Sequence, residues 1–242
     1  MKTAKFNDAI VIEADTPSHR WLDIFGECQK YSLDNGFPTD DSSGDPTQFV
    51  STVVEDGTGT SKVENAVTRG VSMLITTAAN EYDGVNLQLK GEAFKLTANK
   101  PLYFGVKLKV SDATESDLLV GLAETDTALL SVATDHEADY GTSDVLGFLK
   151  VDSDKTVSTQ SVVAGTVKST ADYDTDMVDD TFVTLEIYWD GSTVFFYGDG
   201  DLITSTNSSL PDGDLTPTIN FRAGAGAAKT CSVAWLRCFQ AN

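Results

Sequence analysis

At 242 residues the chain is long enough for one large β domain or two small ones, and a chain of this size buries about 70–75% of its unfolded surface and needs no covalent staple. Its hydrophobic content of 40% and charged content of 22% are those of a globular protein, so disorder throughout is excluded. Lys and Arg number 17 against 37 Asp and Glu, a formal net charge of −20; that field repels phosphate backbones, and the scattered cations form no stripe, so a nucleic acid partner is excluded.

The first residues, Met1 to Asp8, hold no apolar core of signal-peptide length, and no later segment approaches ~18 apolar residues, so no membrane partner is expected and folding in a cytoplasm is. Residues 1–48 read as a lead segment or arm. Ala9-Ile-Val-Ile12 is a short apolar run. Trp21, Leu22 and Phe25 before Gly26 suit one helical turn. Asp34 to Pro46 is dense in turn formers and acid and reads as an ordered loop.

Residues 49–242 read as one domain. A strand is predicted at Gln48–Val54, then a loose stretch from Glu55 to Asn65, then strands at Val71–Thr77 and at Val85–Leu89, where Val85, Leu87 and Leu89 alternate with Asn86, Gln88 and Lys90. Leu102 to Val110 alternates most cleanly, with Lys107 and Lys109 on the wet face. Asp117–Ala123 and Val145–Val151 are more continuously apolar, as strands covered on both faces are. The spacing of Ala128, Leu129, Val132 and Ala133 suits a short helix within 126–139.

Val157–Val163 and Thr166–Ser169 make a hairpin about Ala164-Gly165, and 172–180 is an acidic loop. Phe182–Trp189 then alternates Val183, Leu185, Ile187 and Trp189 against Thr184, Glu186 and Tyr188. Asp190-Gly191 after it predicts a type I′ turn, which needs positive φ at both central residues. Ser192–Tyr197 and Gly198-Asp199-Gly200 continue the meander. Ile219–Ala223 and Cys231–Phe239 are expected to pair across the Gly224–Ala228 turn. Cys231 and Cys238, seven apart in one strand, would lie on opposite faces about 23 Å apart at ~3.3 Å per residue, beyond disulfide reach; a Cys28 bridge would leave an odd thiol, so reduced, packed cysteines are expected. About a dozen short strands with Gly, Asp and Asn turns predict an all-β antiparallel sandwich without a repeat period.

The string Thr181 to Gly200, a strand ending in Asp-Gly followed by one ending in Tyr197-Gly198-Asp199-Gly200, resembles the late hairpins of concanavalin A-like and laminin-G-like jelly rolls. The similarity extends over residues 70–240, with Lys100 to Val110 as an earlier strand, and implies a fold more than a function. The whole chain, with its acidic sandwich and final strand Ser232–Phe239, also resembles tailed-bacteriophage virion proteins that decorate or cement capsids or sit elsewhere on the particle surface. That resemblance implies a protein made in a bacterial host and carried on the capsid surface of the virion.

An enzyme on this fold would be a glycoside hydrolase, which needs two carboxylates ~5–5.5 Å apart for retention; in concanavalin-like hydrolases these come from Glu-x-Asp-x-x-Glu or a close variant on one strand. Glu186-Ile-Tyr-Trp-Asp190 lacks the second-position Asp and the closing Glu, so Glu186 is read as a solvent-facing strand residue. His19 and His136 stand apart, and no histidine or cysteine spacing suits a transition metal. No Gly-x-Ser-x-Gly elbow occurs, and Gly57–Lys62 copies a phosphate loop only in composition. Asp172-Tyr-Asp-Thr-Asp176 and Asp152-Ser-Asp154 offer alternating oxygens but continue into no EF-hand Gly and Glu. Trp189 and Trp235 are read as core and Trp21 as a candidate interface anchor.

No catalytic, cofactor or metal residue is therefore assigned, and no enzyme is expected. The first expectation is a noncatalytic capsid decoration or cement protein that binds the major capsid protein as a homo-oligomer, with acidic charge suited to an outer surface and a lead segment suited to ordering on a neighbour. The alternative is a carbohydrate-binding tail fibre or spike module that contacts host glycans.

Overall fold

The computed structural model describes residues 3–6, 9–12, 28–33, 48–68, 71–129 and 140–241. Strand β1 (Thr3–Phe6) pairs with β2 (Ala9–Ile12), the apolar run of the lead segment, as a small separate sheet. The helical turn at Trp21, the loop from Asp34 to Pro46 and most of the helix expected at 126–139 lie outside the described residues.

The remaining strands run β3 (Cys28–Leu33), β4 (Phe49–Val54), β5 (Lys62–Thr68), β6 (Val71–Thr76), β7 (Gly84–Leu89), β8 (Leu102–Val110), β9 (Ser116–Ala123), β10 (Val145–Lys150), β11 (Ser158–Val163) and β12 (Thr166–Asp172). They continue as β13 (Val183–Trp189), β14 (Val194–Gly198), β15 (Asp201–Thr206), β16 (Thr216–Ala223) and β17 (Thr230–Ala241). A seven-stranded sheet has the order β12-β11-β10-β9-β16-β7-β4; an eight-stranded sheet has β15-β14-β13-β8-β17-β6-β5, with β3 also on β17. Every strand pairing among the described residues is antiparallel. The fold is an all-β antiparallel sandwich, as the alternation of apolar residues predicts, and its jelly-roll architecture is the one that the resemblance over Thr181–Gly200 implies.

The core lies between the inward faces. From β8 come Phe104, Val106 and Leu108, and from β13 Leu185 and Ile187; Leu118, Val120, Leu146, Phe148, Ile219 and Phe221 answer from the other sheet. Phe148 meets Phe196 edge-on across the layers, 5.6 Å between centroids and 90° between planes. Each such side chain contributes about 1.5–3 kcal/mol when fully buried. Strands β9 and β10 are buried on both faces, as their continuous apolar runs predicted.

Strand β17 is the spine of the eight-stranded sheet. It holds β8 along one side and, along the other, β6 by Thr230–Val233 and β3 by Leu236–Ala241. Between these two partners the register with β8 shifts from Val233 opposite Leu108 to Trp235 opposite Lys107. One extra residue, Ala234, breaks the alternation there, and its carbonyl accepts the Ser72 hydroxyl at 2.7 Å.

That bulge corrects two expectations. Cys231 and Cys238 share the inward face and are both buried, free thiols, because an odd spacing plus one unpaired residue restores the same side. Trp235 faces outward instead of into the core, opposite Lys107. Trp189 is in the core as expected, its indole N–H donating to the Thr97 carbonyl at 2.9 Å.

Three turns also differ. Asp190-Gly191 is part of a four-residue connection between Trp189 and Val194, with positive φ at Gly191 but not at Asp190. Asp190 Oδ1 accepts the backbone N–H groups of Ser192 and Thr193, each at 2.8 Å, so the carboxylate organises the loop as an Asx turn. The next hairpin does turn through two residues of positive φ, Asp199 (φ 49) and Gly200 (φ 91), as the Ala164 (φ 49) and Gly165 (φ 72) hairpin does. Strands β16 and β17 do not pair; Gly224–Ala228 carries the chain from one sheet to the other. The loose stretch from Glu55 to Asn65 ends early, since β5 starts at Lys62.

Burial pushes the Cys231 thiol up to about 12 and Cys238 well above the usual thiol value. A thiol reagent added to the native protein should leave both unlabelled by peptide mass mapping and label both in denaturant. Rapid native labelling of either would contradict the inward register of β17.

Candidate functional site

The outer face of the seven-stranded sheet divides into a polar and an apolar half. On β7 and β16 the outward positions are Asn86, Gln88, Thr218, Asn220 and Arg222, with Asn86 opposite Asn220 and Gln88 opposite Thr218. On β9, β10 and β11 they include Leu119, Ala123, Val145 and Val162, which pack with Leu129 and Tyr140 as a second apolar cluster. Within the apolar half Gly121 faces Gly147. A Cβ on Gly147 would stand 2.6 Å from the Val120 carbonyl oxygen, so bare backbone is what lets these strands approach.

Asn86 and Gln88, which alternate with the apolar residues of β7, are both buried, because residues Glu124–Asp126 lie over them. Gln88 Nε2 donates to the Glu124 carbonyl at 2.9 Å and to Thr218 Oγ1 at 3.1 Å, while its Oε1 accepts the Asp126 N–H at 2.8 Å. Asn86 Nδ2 donates to the Asp126 carbonyl at 2.6 Å. That bond fixes the amide's orientation and leaves Asn86 Oδ1 buried with no hydrogen-bond partner, on a residue 3% exposed. Such an acceptor forfeits about 1–3 kcal/mol until a donor reaches it.

Beyond Asn220, Arg222 Nε donates to Asp117 Oδ2 at 2.7 Å, with both side chains almost wholly buried. The guanidinium carbon lies 5.1 Å from the centroid of the Tyr82 ring, within cation–π range. Tyr82 is held there at φ 69, its N–H donating to the Ala223 carbonyl at 2.8 Å. The face opens along edge strand β4, where Thr52 beside Asn86 is half-buried and Val50 beside Gln88 is 42% exposed.

The outer face of the eight-stranded sheet is different. Phe195, Tyr188, Tyr103 and Phe239 stand side by side across β14, β13, β8 and β17. Tyr103 stacks on Phe239 at 6.1 Å and Tyr188 on Phe195 at 6.4 Å. In the next row Glu186 accepts the Tyr103 hydroxyl at 2.6 Å, and Arg237 lies 4.7 Å above the Trp235 ring. Glu186 faces outward as read from sequence, but it is half-buried and bonded instead of free in solvent. Burial raises its carboxyl above the usual glutamate value, against the opposing pull of the Tyr103 hydrogen bond.

Among the described residues the other sequence candidates are not gathered into a site. His19, His136 and Trp21 lie outside the described residues. Lys62 opens a strand, so no helix follows Gly57–Ser61 to supply an amide terminus for phosphate. Asp154 Oδ1 binds its own turn through the Thr156 N–H at 2.9 Å, and among the described residues no group of three or more His, Cys, Asp or Glu could hold a metal ion. The amides and Arg222 escaped notice because alternation says only which side a residue faces. Their signal was weak: two strands whose outward residues are amides and threonines where solvated strands commonly carry charge.

No protein-family model matches the chain, and no curated protein does. Solved structures do match. The carbohydrate recognition domain of Emp47p aligns with TM-score 0.59 at 12% identity over 88% of this chain and 96% of that one. The catalytic domain of an endo-1,3-β-glucanase (laminarinase) from Thermotoga petrophila RKU-1 gives 0.59 at 14% over 88% and 98%. A β-1,3-1,4-glucanase (lichenase) derived from a mouse hindgut metagenome gives 0.59 at 14% over 88% and 99%. At these identities the likeness is one of fold, the class of sandwich built by both a carbohydrate recognition domain and glucan-cleaving domains.

Two outcomes are expected. Asp117→Ala should cost about 3–5 kcal/mol in urea unfolding, because it strands a buried guanidinium; a loss under ~1 kcal/mol would mean that the pair is wet. For Glu186 the native carboxyl binds its proton more tightly than the unfolded one, so its contribution to stability falls as pH rises from about 4.5 through the raised native value. Glu186→Gln should flatten that part of the stability profile, and an unchanged slope would show that Glu186 is solvated.

Proposed function

We propose that this protein is a noncatalytic carbohydrate-binding sandwich that holds glycan on the polar half of its seven-stranded sheet. The observation that carries the reading is the row Asn86, Gln88, Thr218 and Asn220, closed at one end by Tyr82 and Arg222. Gln88 and Thr218 are bonded within the chain, so the row meets a sugar at its rim, where half-buried Thr52 and Tyr82 offer hydroxyls that both donate and accept. An aromatic side chain beside them gives the C–H face of a sugar an apolar contact. Sharing a fold with the Emp47p carbohydrate recognition domain supports the reading without carrying it.

Catalysis is less well supported. The outward positions of β9, β10 and β11 between Leu119 and Val162 are Leu, Gly, Ala, Val, Ser and Gln, with no carboxylate. Asp117 is committed to Arg222, and Glu186 stands on the opposite sheet bound to Tyr103. Neither forms the spaced pair that glycoside hydrolysis uses.

The capsid decoration role, with the major capsid protein as partner, draws no support from these likenesses, and none of the three structures described is a virion protein. A fibre or spike module contacting host glycans remains one setting in which the proposed binding would operate. The test is a glycan array followed by calorimetry. Wild type should bind at least one glycan class, and Asn220→Ala should weaken that binding about tenfold, the equivalent of ~1.4 kcal/mol for a lost buried hydrogen bond. No hit on the array, or an Asn220→Ala affinity equal to wild type, would remove the proposal.

A further inference from the structure

We infer that β4 is the edge through which two copies of this chain join, antiparallel and side by side, into one continuous sheet.

Strand β4 ends the seven-stranded sheet, and among the described residues no strand lies on its far side. Just before it, the Lys90 N–H donates to the Gln48 carbonyl at 2.9 Å. Backbone direction alternates along an antiparallel strand, so Val50, Thr52 and Val54 address β7, while Ser51 and Val53 turn their N–H and C=O groups away from it. A valine stands open on each face of this edge. Val50, on the outer face, is 42% exposed, and Val53, on the inner face beside the core residue Val85, is 43% exposed.

The other edges of the two large sheets carry the features that keep edges from pairing. Strand β12 has Lys168 and Asp172, β15 has Asp201, and β5 has Lys62 and Glu64; each of the three also shifts register against its neighbour. Strand β3, beside β17, has Lys30. Strand β4, Phe49-Val-Ser-Thr-Val-Val54, has no charge, no proline and no shift.

A second copy is the occupant that such a strand fits. Antiparallel pairing about a two-fold axis sets a strand against itself, so any charge on it would approach its own twin. Centred on Ser51 or on Thr52, β4 brings together only Ser, Thr, Val and Phe from within the strand. In a chain of net charge −20 two copies repel over most of their surface, and an uncharged strand is where they can meet. The axis stands perpendicular to the sheet, so both outer faces lie on one side, with the two β7 strands three strand spacings, about 14 Å, apart. The inference does not rest on the carbohydrate reading; under that reading the two polar rows would share one face.

The experiment is sedimentation of the full chain over a wide range of concentration, at low and at high salt. A dimer of twice the chain mass should form and should tighten with salt, because screening weakens the repulsion and leaves the edge contact. Val53→Lys, and Ser51→Pro, which removes an N–H that β7 does not use, should each weaken the dimer at least about tenfold, with circular dichroism reporting whether they fold. Val53→Lys makes the chain less negative, so its loss of dimer would not come from added repulsion. Val167→Lys on the β12 edge should dimerise as wild type does. In wild type alone, the Ser51 and Val53 amides should exchange with deuterium more slowly in concentrated than in dilute solution. A chain that stays monomeric at every concentration and salt, a dimer equally strong in both β4 variants, or exchange at those amides that ignores concentration would overturn the inference.

Discussion

Everything in this molecule hangs on the burial of alternate residues of β8 and β17 against the opposite sheet. Phe104, Val106 and Leu108 on one strand, and Leu236 and Cys238 on its neighbour, set which side of the eight-stranded sheet is inner. A slip of one residue would turn that set to solvent and bring Lys107 or Arg237 into the core, at a cost of several kcal/mol for each uncompensated charge. Register is therefore specified strongly here, and the second sheet, the loops over it and the amide row are placed relative to it.

Most of this was legible because a period of two is a local property. Leu102–Val110 and Val183–Trp189 each announce their inner face, and the continuous apolar runs of β9 and β10 announce that both faces are covered. What failed was whatever needed a count across a defect or a knowledge of partners. Ala234 is an ordinary alanine, and no residue type marks it as the bulge that carries Trp235 outward and Cys238 inward. The Gly224–Ala228 turn looks like a hairpin in sequence, yet whether two strands pair or part into different sheets depends on the competing partners of each. Here β16 finds β7 and β9 while β17 finds β8, β6 and β3.

The candidate site was less legible for a related reason. Asn86 and Gln88 were correctly placed on the side away from the core, but their burial comes from Glu124–Asp126, about forty residues later, whose backbone carbonyls and N–H they bind. A sequence shows that an amide faces outward; it does not show that something lies on top of it. The Arg222–Asp117 pair, 105 residues apart, is invisible for the same reason. Its consequence is electrostatic: a chain with an excess of acid spends one of its 17 cations on an internal neutral pair, and the polar half of the sheet is left with hydrogen-bonding capacity and little net charge.

The two outer faces thus offer different chemistry, amides and threonines on one sheet and stacked aromatic rings around Tyr103 and Glu186 on the other. Glycan binding is proposed for the first. Nitrogen-15 NMR of the protein during titration with a bound oligosaccharide separates the two most directly. The side-chain NH₂ resonances of Asn86, Gln88 and Asn220 should move with the backbone signals of β7 and β16, while the Trp235 indole stays fixed. Movement at Trp235 and along β8 and β13, with those amides unchanged, would place the sugar on the opposite sheet and contradict the account.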